Sequence, residues 1–178
     1  MPLYAKKDTN YENPKPGLHQ AVCAHVVDIG WHETDFNGHK DYGHQIIILW
    51  ELKSATTQGK RFQVAKFFTL SLGDKANLRK DLEAWLGRNL TEQEIKEGYD
   101  IESMAGVNCH LNLKIEERNG KTRAIIAGIS PLMEGMAPIQ STVDLVPEWI
   151  DKIAVTGLKE KPKQEEIPAT PNQDGLPF

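Results

Sequence analysis

Hydrophobic and polar positions alternate cleanly over residues 42–54. Ile46, Ile48, Trp50 and Leu52 fall on one face, and Gln45, Glu51 and Lys53 on the other. A period of two marks a half-buried strand. Ile47 and Leu49 interrupt the polar face, and they read either as a dimer seam or as a patch under the N-terminal arm. Residues 18–31 are rich in β-branched side chains and read as the strand before. Residues 32–41 hold Asn37-Gly38 and four charged side chains, so they read as a loop. Thr57–Lys60 is a turn, and Arg61–Leu70 returns as the second strand of a hairpin.

The period then changes. Leu78, Leu82, Trp85 and Leu86 follow one helical stripe. Asp74 stands before the stripe as a cap, and Gly87 stands after it as a stop. Thr91-Glu-Gln-Glu94 has the pattern of a capping box, and Gly98 ends that short second helix. Asp100–Ala105 reads as one more turn. Strand alternation resumes over 107–116, Asn119-Gly120 is a strong hairpin signal, and 121–130 is the returning strand. Residues 142–153, with Pro147 in a first turn, read as a last short helix. The elements predict three strands, a helical insert (74–105) and two more strands. This is the β-β-β-α-β-β order of a mainly β, five-stranded barrel of the oligonucleotide/oligosaccharide-binding (OB) type over residues 17–157. Another small β-barrel with an inserted helix fits the same order.

The flanks differ from this body. Residues 1–16 carry Asn-Pro-Lys-Pro and little apolar matter, and read as a flexible arm. Residues 158–178 hold four prolines and few large apolar side chains, and read as a disordered tail. The tail is acidic after Gln164 and ends in Leu176-Pro177-Phe178. The 178 residues carry a net charge of −4, which excludes a uniformly basic nucleic-acid coat. The longest apolar run is Ile46–Trp50, too short to span a membrane, and residues 1–8 lack the apolar region of a signal peptide. These features lead to the expectation of a cytoplasmic protein with no membrane partner.

Catalytic patterns are missing from the sequence. His32, His39 and His44 are spaced unlike a metal-binding pair, so they read as loop histidines. Cys23 and Cys109 lie on alternating strand patterns and read as small buried thiols. Glu116 and Glu117 are strand neighbours that point to opposite faces. No phosphate loop and no nucleophile elbow occur. The expectation is a non-enzyme that needs no cofactor and no metal.

Single-strand recognition needs cations along a groove and aromatic rings for stacking. The first loop and its rims offer Trp31, Phe36, Lys40 and Tyr42. The hairpin offers Lys53, Lys60, Arg61, Phe62, Lys66 and Phe67, and the last loop offers Arg118, Lys121 and Arg123. Phe62, Phe67 and Phe68, taken singly, also read as core. Trp50 and Trp85 read as core. At the other end, Asp174, Leu176, Pro177 and Phe178 form an apolar tip with a free carboxylate, suited to a partner with an apolar pocket and a basic rim.

That tip, Asp174-Gly-Leu-Pro-Phe178 after Glu165-Glu166-Ile-Pro168, resembles the acidic tip of bacterial single-stranded DNA-binding proteins. It differs in having one Asp near its end instead of a run. The body resembles a family of small phage-encoded OB-fold proteins over residues 17–135. The likeness lies in Thr-Leu-Ser-Leu-Gly-Asp-Lys-Ala-Asn-Leu-Arg-Lys-Asp-Leu-Glu-Ala-Trp-Leu-Gly-Arg88 and Gly-Val-Asn-Cys-His-Leu-Asn-Leu113. The resemblance implies a protein that binds single-stranded DNA in phage replication or recombination within a bacterial host cell. Its tail would recruit replication or recombination proteins. The rival readings are an RNA-binding OB module and a protein–protein adaptor that touches no nucleic acid.

Overall fold

The computed structural model describes residues 12–163. Five antiparallel strands form one sheet: β1 (Gly17–Phe36), β2 (His39–Ala55), β3 (Arg61–Thr69), β4 (Asn108–Arg118) and β5 (Lys121–Pro131). Their order across the sheet is β3-β2-β1-β4-β5. Between β3 and β4 lie α1 (Asn77–Leu86), α2 (Glu92–Glu97) and a 3-10 turn at Ile101–Met104, and α3 (Glu148–Thr156) follows β5. Five strands with a helical insert after the third match the order read from sequence.

The barrel does not form. Among the described residues β3 pairs only with β2 and β5 only with β4, so the sheet is open and ends in two free edges. Closure needs hydrogen bonds between those two edges, and strand order alone does not supply them. The OB-fold assignment is corrected accordingly.

The loop expected at 32–41 is also absent. β1 and β2 continue to a two-residue turn, where Asn37 and Gly38 have φ of 52° and 82°. Two positive φ values match the twist of a hairpin, and Asn-Gly adopts them readily. The charged residues ride on this ribbon as cross-strand neighbours, with Lys40 3.5 Å from Glu33. Asn119-Gly120 makes the other hairpin, as its sequence predicts.

Both faces of the sheet are buried over its centre. On one face Ile46, Ile48, Trp50 and Leu52 pack with Cys109, Leu111 and Leu113 and with Leu78, Leu82 and Trp85 of α1. The Trp50 and Trp85 rings lie 5.5 Å apart. Asp74 does not cap α1. It binds Arg79 at 2.8 Å instead, while Gly87 ends the helix at φ 70°. Thr91 and Glu94 form the expected capping box. Cys23 and Cys109 are both buried; burial pushes the Cys23 thiol up to about 12 and raises that of Cys109 as well.

On the other face Ile29, Ile47 and Leu49 pack against Ile150 of α3. Ala24 and Ile29 are the extra residues of two bulges in β1, and both contribute to this second cluster. An extra residue turns a side chain to the opposite face. α3 is therefore the cover over Ile47 and Leu49. It begins at Glu148, later than the helix expected from residue 142.

Candidate interaction groove

Between β5 and α3 the chain runs as a strap across the outer face of the sheet, held by sheet side chains that bind its main chain. Gln20 Nε2 donates to Ala137 O at 2.8 Å, and His25 Nε2 donates to Val143 O at 2.8 Å. Asn108 donates to Ile139 O and accepts from Ile139 N, at 2.8 and 2.9 Å. Arg61 donates to Gln140 O at 2.9 Å.

Glu51 is the strongest of these anchors. It is a strand residue, only 1% exposed, that accepts from Thr142 Oγ1 at 2.6 Å, Thr142 N at 2.7 Å and Ser141 Oγ at 2.9 Å. Burial on its own would raise this carboxyl. The Thr142 and Ser141 hydrogen bonds and the Arg61 charge outweigh it and hold the carboxyl below its usual range.

The strap and α3 occupy much of the outer face of β1 and β2, whereas the surface expected for nucleic acid is the face of β2 and β3 with the β1–β2 and β4–β5 loops. Trp31 is half-buried and stacks on His44 at 5.2 Å, and its main chain pairs with Leu158 at 2.8 and 3.0 Å. His44 in turn binds Asp28 at 2.7 Å. Beside this ladder Lys161 lies 3.5 Å from Asp41. Tyr42 is half-buried, Lys40 is exposed near the β1–β2 tip, and Phe36 is the last residue of β1.

The cations are spread out rather than gathered. Arg61 holds the strap and Glu51, Lys66 binds Asp81, and Arg123 faces Glu116 at 3.7 Å. Lys53 is exposed on β2 and Lys60 at the β2–β3 turn, while Arg118 and Lys121 are exposed at the tip of the β4–β5 hairpin. Phe62 packs on the core and Phe68 is buried in it. Asp174, Leu176, Pro177 and Phe178 lie outside the described residues. Among the described residues no three His, Cys, Asp or Glu side chains converge as a metal would require. No described helix is long and apolar enough to cross a membrane.

The free edges create a different feature. Residues 63–67 of β3 and 123–126 of β5 line opposite sides of one groove of about 570 Å³. Leu49 and Trp149 also line it, and so does Asn13, whose side chain donates to Thr122 O at 3.0 Å. Phe67 is 51% exposed and Trp149 43%, large rings left in water beside two unpaired strand edges. The sequence offers Phe67 both as a stacking ring and as a core residue, and it gives no signal for Trp149. The only sequence signal for Phe67 is the alternation that puts it opposite to Phe68.

Compared with known proteins, the chain matches no protein-family model and is similar to no curated protein. The resemblance to a phage OB-fold family therefore fails on two counts, since the sheet is open and no family matches. Single-stranded DNA binding, and with it a role in phage replication or recombination, rested on that fold and is withdrawn.

Proposed function

We propose that this protein is a non-enzymatic adaptor that docks an extended segment of a partner polypeptide along the groove between β3 and β5. The observation that carries the reading is the pair of free edges on one groove. Each offers unpaired main-chain N–H and C=O groups, and a strand added to either satisfies them. Phe67 and Trp149 supply the apolar contact that gives such a strand a preferred side chain. A nucleic acid would need free cations there, and Lys66 and Arg123 both face carboxylates. Two buried free cysteines suit a reducing, cytoplasmic setting.

The test is a peptide selected from a random library against the full-length protein. The expected peptide protects amides of β3 or β5 from hydrogen exchange, and N-methylation of its alternate amides abolishes binding. Failure to select any peptide, or binding that survives both N-methylation and loss of the two rings, would overturn the proposal. So would tight binding of single-stranded DNA at the same residues.

A further inference from the structure

A second hollow, of about 400 Å³, lies where β1, β2 and β4 meet the residues after β5. Its apolar wall is Leu18, Met133 and Met136, and Lys53 stands at its side. His19 and Ser54 also line it but bind each other at 3.0 Å, and the second His19 nitrogen donates to Lys15 O at 2.6 Å.

The two remaining lining residues, Gln20 and His110, are direct cross-strand partners and are 7% and 4% exposed. Each has an atom with no hydrogen-bond partner, Gln20 Oε1 and His110 Nε2. The Gln20 amide cannot simply turn over to mend this. Its Nε2 is committed to Ala137 O at 2.8 Å and lies 3.4 Å from Asn108 Oδ1. Oε1 is therefore a fixed acceptor, and His110 Nε2 beside it is a donor in the tautomer that protonates that nitrogen. Buried polar atoms are nearly always satisfied, and two adjacent exceptions on one hollow call for a group that satisfies both.

We propose that this hollow binds a neutral carboxamide. The amide N–H donates to Gln20 Oε1 and the amide carbonyl accepts from His110 Nε2. A carboxamide carries its donor and its acceptor on two separate atoms of one rigid plane, so it can pair with both groups at once. A carboxylate or ketone leaves Gln20 unpaired, and an ammonium group leaves His110 unpaired. The apolar body of the ligand lies against Met133 and Met136. Both atoms are shielded from water, so the ligand reaches them only if neighbouring side chains move, and unbranched thioethers change rotamer readily. Met133 and Met136 sit on one tight turn, closed by a 3.2 Å bond from Met136 N to Met133 O. The inference is independent of the β3–β5 groove.

The experiment uses the full-length ¹⁵N-labelled protein and three probes. Benzamide stands for a free ligand, a capped glutamine peptide for a partner's side chain, and acetophenone for the same shape without the donor. Benzamide or the glutamine peptide is expected to shift the Gln20 side-chain amide and the His110 ring nitrogens saturably. The tighter of the two identifies the source. Acetophenone is expected to bind at least about tenfold more weakly, the usual cost of leaving a buried polar group unpaired. His110→Phe is expected to abolish the benzamide response. Equal binding of acetophenone and benzamide would overturn the proposal, as would saturable shifts confined to other residues or no saturable shift with either amide. The ketone comparison decides the matter even if the His110 variant fails to fold.

Discussion

Gly30 and Gly157 bring two stretches of backbone together so closely that neither position has room for a side chain. A Cβ on Gly157 would lie 1.9 Å from Ile29 O, and one on Gly30 would lie 2.7 Å from Leu158 O. Gly30 also has φ of 79°, a conformation that other residues adopt at a cost. The contact is what lets Leu158 pair with Trp31. Gly157→Ala is therefore expected to destabilise the protein by about 1–3 kcal/mol, the range for overpacking a tight site. Hydrogen exchange should speed up at Trp31 and Leu158 while the amide of Ile48 stays protected. An unchanged exchange rate at Trp31 would contradict the account.

Glu51 predicts a pH dependence with a definite sign. Its carboxyl titrates below the ordinary 4.5 in the folded protein. Its contribution is complete above that value and is lost as pH falls through the folded value. Glu51→Gln should cost about 3 kcal/mol near neutral pH, between one unsatisfied buried group and a broken buried ion pair. The gap between the variant and the parent should narrow on acidification, measured by urea unfolding from about pH 7 to about pH 3. Parallel curves would show that the carboxylate charge is not what holds the strap.

Neighbouring phenylalanines should behave oppositely. Phe68 is 3% exposed, and Phe68→Ala should cost about 3–5 kcal/mol. Phe67 and Trp149 are exposed, and replacing both by Ser should leave stability within about 0.5 kcal/mol per site. The same double variant should lose the selected peptide. Thermal melts alongside peptide titrations separate the two effects.

Both thiols should be inert in the native state. Burial keeps Cys23 and Cys109 protonated, and a thiol reacts through its thiolate. A disulfide reagent at about pH 8 should modify neither until denaturant is added. Rapid native labelling of either residue would place it nearer the surface than described.

What the sequence made legible was local. The stripe of Leu78, Leu82 and Trp85, the Thr91–Glu94 box and the Asn119-Gly120 turn each depend on residues a few positions apart. The alternation from Ile46 to Leu52 needs only a period of two. Closure of the sheet is non-local. It depends on whether β3 and β5 reach one another, which twist and bulges across all five strands decide together. Trp31 reads as a loop ring because its main-chain partner, Leu158, lies far along the chain. Charge density masks the turn signal at Asn37-Gly38, whereas the same dipeptide stands clear at Asn119-Gly120. Trp149 was missed because its setting beside Phe67 and Leu49 exists only after the sheet has formed.

The strap has a consequence for evolution and for protein engineering. Gln20, Asn108, Arg61 and His25 hold atoms that every residue possesses, since they bind carbonyls and one amide of residues 137–143. The instructions for the path of this stretch are thus written in the sheet and not in the stretch. Side chains at Ala137, Pro138 and Gln140 are exposed and free to drift, whereas Ser141 and Thr142 are tied by their hydroxyls to Glu51. Proline is barred at position 139, whose amide is in use. A short foreign epitope written over 137, 138 and 140, with the half-buried Ile139 kept, would inherit its path from a scaffold that does not read its letters.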